Sequence, residues 1–118
     1  MAARKLFMDD LLFDEKIFMY MEEVDLLMRA KSKGYGTYFY AGAQIIHLGS
    51  GSSTNKRTGP VLNIYKGLLY VYNKHSSYRA CIALKLLLRL KALLSIGIGV
   101  ITGSTYLKTT YAEALKLV

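Results

Sequence analysis

The sequence predicts an α/β fold that runs into a mostly helical, basic tail, and three observations carry that expectation. An apolar, aromatic-rich segment, residues 13–21, delivers Glu22, Glu23 and Asp25 to the first turn of a helix expected over residues 21–33. Two short runs rich in β-branched and aromatic residues, 37–40 and 43–48, read as strands separated by Ala41 and Gly42. Beyond Pro60 the apolar spacing turns helical, with lysine and arginine set among leucines. The expected division places the acidic helix, both strands and a histidine-bearing loop in residues 1–58, and the helical tail in 59–118.

In chain order, residues 3–12 are read as a short helix or turn. Residues 13–21 hold too many aromatic and β-branched side chains for an exposed helix and are expected to cross the floor of a cleft in extended or irregular form. In the acidic helix Val24, Leu27 and Met28 fall at i, i+3 and i+4, which predicts a buried stripe. Three carboxylates in a first turn are compatible with simple capping, because unpaired N–H groups and the macrodipole favour negative charge there. Asp25 and Arg29 lie four apart, a spacing for an intrahelical ion pair; contact of Arg29 with a donor phosphate or acceptor is the other reading. Gly34 suits the left-handed residue that closes a helix.

Residues 49–60, GSGSSTNKRTGP, read as a linker whose glycines and hydroxyls can also pack backbone donors against phosphate oxygens. Leu62, Tyr65, Leu69 and Tyr72 then share a helical face, and their tyrosines are read as packing residues. Residues 78–94 are helical and nearly apolar all round apart from Arg79, Lys85, Arg89 and Lys91. The longest uncharged run, 92–107, is 16 residues, too short for a hydrocarbon core of about 30 Å at about 1.5 Å per residue. An interfacial segment is therefore expected, with a last amphipathic helix over 106–118.

Composition narrows the partners. The chain has 118 residues, a formal net charge of +8 and 53% hydrophobic residues, which excludes a wholly disordered chain and bounds it to one small domain. The positive balance suits phospholipid headgroups, nucleotide phosphates or nucleic acid. Nucleic acid is the least expected, since the cations are interleaved with leucines and no recognised binding module is present. A single cysteine, Cys81, excludes an internal disulfide, and no Cys/His spacing predicts structural zinc. Residues 1–10 lack a continuous apolar core and contain Asp9 and Asp10, so no secretory leader is expected and the setting is read as cytoplasmic.

The stretch FDEKIFMYMEEVDLLMRAKSKGY, followed by AQIIHLGSGSS, resembles the C-terminal part of the catalytic domain of family 2 glycosyltransferases, in particular the rhamnosyltransferase-like members. Phe13, Asp14, Phe18, Tyr20, Glu22, Asp25, Leu26, Arg29, Gly34, His47, Gly49 and Ser52 fall in register with that family's pattern. The likeness covers roughly residues 10–75, and it departs where the family's E-D pair becomes Glu22-Glu23. It implies the C-terminal portion of a GT-A-like domain and inverting transfer from a nucleotide-sugar donor to a cell-envelope or lipid-linked glycan. Glu23 matches the base, with Glu22 and Asp25 completing the catalytic group. Arg29, Gly49 and Ser52 match substrate contacts. His47 matches a metal ligand for Mn²⁺ or Mg²⁺; as a lone strand-end histidine it is equally a hydrogen-bonded surface residue.

The family's donor-binding half, with its Asp-x-Asp motif, is expected before Met1, and Asp9-Asp10 does not replace it. Without that half, as a separate chain or otherwise, the resemblance implies weak donor binding and no activity. Its membrane-facing tail implies a peripheral position on an anionic surface, the inner face of the cell membrane. The other reading is a non-catalytic basic membrane-surface protein that retains part of the fold.

Overall fold

The computed structural model describes residues 12–44, 46 and 58–118. Four helices make up its regular structure: α1 (Glu22–Ser32), α2 (Thr58–His75), α3 (Tyr78–Ile101) and α4 (Thr105–Leu115). No strand occurs among the described residues, so the expected α/β class is replaced by an all-helical arrangement. Residues 37–40, expected as the first strand, have no regular structure, and Tyr38, Phe39 and Tyr40 are largely exposed. Their β-propensity expresses packing on a pleated neighbour, and no such neighbour lies alongside among the described residues. Of the second expected strand, Ala43, Gln44 and Ile46 have no regular structure, and residues 45 and 47–57 lie outside the described residues.

The helices expected after Pro60 form with shifted bounds. Residues 78–94 extend as one helix to Ile101, and the chain then turns at Gly103, whose φ of 71° only glycine adopts without strain. Ser77 and Ser104 cap α3 and α4, their hydroxyls accepting from the amides of Ala80 and Leu107. Helix α3 packs most extensively on α4, and both meet α2. Their shared core is Tyr65, Leu88 and Ala114. The Tyr65 hydroxyl is buried rather than wet, donating to the carbonyl oxygen of Leu88 at 3.1 Å.

Helix α1 closes as its sequence requires. Gly34 has φ 84°, its amide donates to Lys31 O, and the Tyr35 amide donates to Ala30 O at 3.1 Å, the paired bonds of a Schellman ending. Its buried face, however, is the reverse of the expected one. Asp25, Leu26 and Ala30 point inward, whereas Val24 and Met28 are each 38% exposed. The helix is seated by ionic contacts on the Asp25 side, so its apolar stripe is left to line a surface hollow with Tyr35, Gly36 and Thr37.

Helices α1 and α2 meet where Gly67 passes the turn that leads into α1. A Cβ at Gly67 would stand 3.0 Å from Tyr20 O and 3.2 Å from Met21 Cβ, so a side chain there pushes directly on that turn. Gly67→Val is expected to destabilise the protein by about 1–3 kcal/mol, the usual penalty of overpacking. Thermal unfolding should show a lowered midpoint, and an unchanged midpoint would place the contact wrongly.

Candidate functional site

The acids of α1 are presented by a strained turn. Tyr20 and Met21 have φ values of 66° and 71°, two consecutive non-glycine residues in the left-handed region. Such conformations persist only where surrounding structure enforces them. Met21 occupies the N-cap position and offers no capping oxygen, so the first-turn N–H groups have Glu22, Glu23 and Asp25 as their compensating charge.

The enforcement comes from a polar cluster that joins three segments. Asp25, fully buried, accepts from Arg29 Nε at 2.8 Å on Oδ2, and meets Lys74 Nζ at 2.8 Å and His75 Nε2 at 2.7 Å on Oδ1. Lys74 also reaches Asp14 Oδ2 at 2.7 Å, where the Tyr70 hydroxyl donates at 2.8 Å. Arg29 donates from its other arm to Leu12 O at 2.6 Å. The lead segment, α1 and the C-terminal end of α2 are thereby clasped around one carboxylate.

The electrostatics follow from the contacts. Hydrogen bonds from Lys74 and Tyr70 hold the Asp14 carboxyl far below the usual carboxylate range. Burial pushes Asp25 up, but the hydrogen bonds from Lys74, His75 and Arg29 outweigh it and leave the group lowered. Burial draws Lys74 down, and bonds to Asp14 and Asp25 more than reverse that. Asp25 is thus a fixed anion among cations.

The expected site residues fall into three groups. Glu22 and Glu23 stand side by side at the head of α1, Glu23 exposed and Glu22 half-buried. Glu22 Oε2 is itself buried and has no hydrogen-bond partner among the described residues, an open acceptor of the kind that demands a reason. Asp25 and Arg29 form the ion pair that their spacing allows, and both are committed to the clasp. His47, Gly49 and Ser52 lie outside the described residues.

Asp25 does not suit a divalent cation, because Arg29 and Lys74 already occupy its oxygens and would repel one. Among the described residues no group of three or more histidine, cysteine or acidic side chains converges as a metal site. The expected Mn²⁺ or Mg²⁺ therefore gains no support from the described residues.

Sequence reasoning missed Asp14, Tyr70, Lys74 and His75 as members of one site. Tyr70 and Lys74 are spaced i, i+4 and so share a face of α2, and Asp14 is part of the family-like pattern. Nothing local shows that residues about fifty positions apart meet.

Because Asp14 and Asp25 have folded pKa values below the ordinary 3.8, their stabilisation is complete above that value and is lost as pH falls below it. Urea unfolding at pH 7 and pH 3 should show that loss in the natural chain. Asp25→Asn should lower stability at pH 7 by about 1–3 kcal/mol, since it removes the buried charge on which Arg29, Lys74 and His75 converge, and should flatten the difference between the two pH values. Equal stability of both proteins at pH 7 would refute the clasp. Compared with family models, with curated proteins and with solved structures, the chain finds no match in any of the three.

Proposed function

We propose that this chain is the acceptor-side part of an inverting sugar transferase that works on a cell-envelope or lipid-linked glycan at an anionic membrane surface. The observation that carries this reading is the pair Glu22-Glu23 at the head of a clasped helix, with one buried Glu22 oxygen left open. Glu22 Oε2 accepts a hydrogen bond from a sugar hydroxyl and so orients the acceptor. Glu23, exposed beside it, takes the proton of the attacking hydroxyl. The acceptor oxygen then bonds to the anomeric carbon from the face opposite the leaving diphosphate, and the bond to that diphosphate breaks with its electron pair.

Asp25 and Arg29 act differently from the acids at the turn. Asp25 has cations on both oxygens and is a positioning residue rather than a base. Arg29, held by Asp25 and Leu12 O, braces the lead segment rather than reaching a substrate. Gly49, Ser52 and His47 keep the roles that the resemblance implies. The nucleotide-sugar donor would be bound chiefly by a separate donor-binding half. The exposed Tyr38, Phe39 and Tyr40 offer an unpartnered apolar edge for such a partner.

In a chain joined to a donor-binding half, Glu23→Gln should lower the transfer rate by about 100-fold or more while donor affinity stays the same. Glu22→Gln should act mainly on acceptor KM. Steady-state kinetics with both substrates varied would settle this, and an unaltered kcat for Glu23→Gln would remove Glu23 from the mechanism.

One observation favours a second reading, a non-catalytic basic protein of the membrane surface. Helix α3 carries no acid, and its outer face exposes Leu86, Leu87, Leu90, Leu93 and Leu94, each more than half open to solvent. Lys85 and Arg89 flank that face on one side and Lys91 on the other, the layout of a helix lying in the headgroup region. Among the described residues no helix is long and apolar enough to cross a membrane. The peripheral position is common to both readings. The chain should float with vesicles of phosphatidylcholine and phosphatidylglycerol and remain behind with phosphatidylcholine alone. Leu86→Gln with Leu90→Gln should abolish flotation; flotation unaffected by these changes would rule out α3 as the contact.

A further inference from the structure

A cavity of about 380 Å³ opens between the lead segment and α2, on the side of Gly67 that faces the Tyr20-Met21 turn. Helix α2 lines it with Asn63, Lys66, Gly67 and Tyr70, spaced i, i+3, i+4 and i+7 and so on one face. The lead segment supplies Lys16 and an apolar wall that includes Phe18, which is 85% exposed. The cavity therefore has two cations, an amide and an aromatic wall, and its lining reaches Met19, which precedes the turn that carries Glu22.

The charges around it are unbalanced. Asp14, the half-buried acid that the lining residue Tyr70 contacts, is already matched by Lys74 and Tyr70. Lys16 is fixed at its backbone, its amide donating to Asp14 Oδ1 at 3.0 Å, and the adjoining Ile17 is buried. Among the described residues neither ammonium group, of Lys16 or of Lys66, has an ion pair or hydrogen bond with an acid, Glu15 and Glu22 included. Two exposed ammonium groups held at the mouth of one hollow attract an anion with several oxygens, and lysine serves phosphate as a point charge.

We infer that this cavity binds a diphosphate group bearing an apolar substituent, with Lys16 and Lys66 on the phosphates, Asn63 as a further donor and Phe18 against the substituent. That the diphosphate belongs to the acceptor, a lipid-linked glycan, rests on the sugar-transfer reading; the binding itself does not. In that reading the phosphates are the handle by which the acceptor is seated, and its sugar hydroxyls extend past the turn to Glu22 and Glu23.

The test titrates the full chain, free of metal ions, with inorganic pyrophosphate, geranyl diphosphate and uridine diphosphate, by calorimetry and by amide chemical-shift changes. Geranyl diphosphate should bind saturably and more tightly than pyrophosphate, with the largest shifts at Asn63, Gly67 and Phe18. Lys16→Gln with Lys66→Gln should weaken it at least tenfold. Lys31→Gln with Lys116→Gln, equal in charge but remote from the cavity, should leave it intact. Circular dichroism of both double variants excludes a loss of fold. Absence of saturable binding, or an equal loss in both double variants, would overturn the site. Tighter binding of uridine diphosphate than of geranyl diphosphate would overturn its assignment to the acceptor. An inert Glu23→Gln substitution, by contrast, would end the sugar-transfer chemistry and leave the diphosphate site standing.

Discussion

The Asp25 carboxylate is the constraint on which the placement of α1 depends. It is buried at a helix start, a position where its charge is tolerated, and it draws Arg29 from its own helix and Lys74 and His75 from the end of α2. A buried ion cluster of this kind adds little net stability compared with an apolar contact of the same volume. What it supplies is direction. An apolar seat would allow α1 to roll and slide on its neighbour, whereas four polar groups with fixed donors and acceptors permit one orientation. That orientation leaves Glu22 half-buried and Glu23 exposed at the head of the helix, and holds two residues in left-handed conformations that no local preference supports.

The rest of the chain separates two tasks by charge. Every acid of the sequence but one precedes residue 26, and the exception is Glu113. The described acids other than Glu113 belong to the lead segment and α1, which also hold Lys16, Arg29 and Lys31, while α2, α3 and α4 carry most of the other described cations and the core of Tyr65, Leu88 and Ala114. Helix α3 covers that core with one face and leaves leucines on the other.

Much of this was legible residue by residue. Gly34 marked the end of α1 because few residues other than glycine take a left-handed closure without strain, and Asp25 and Arg29 declared their pair by spacing. The helical tail followed from its apolar periodicity. The strand expected at 37–40 was not legible correctly, because its aromatic content is a statement about a neighbour that the described residues do not provide. The inward face of α1 was misjudged for a related reason. Periodicity reports where apolar side chains gather, and here burial is directed by charge, so Val24 and Met28 stay open while Asp25 goes inside. The contribution of Lys74 and His75 is a matter of tertiary encounter, and no window of sequence contains it.

The left-handed pair at Tyr20 and Met21 makes the clasp and the two glutamates mechanically one device. Each such residue stores roughly 1–3 kcal/mol, and this elastic load is borne by the contacts around Asp25 and by the close pass of Gly67. Were those contacts released, the peptide would spring toward its relaxed form and carry both glutamates away together. Discharging the Asp25 carboxylate would thus displace two others whose own bonding is unaltered.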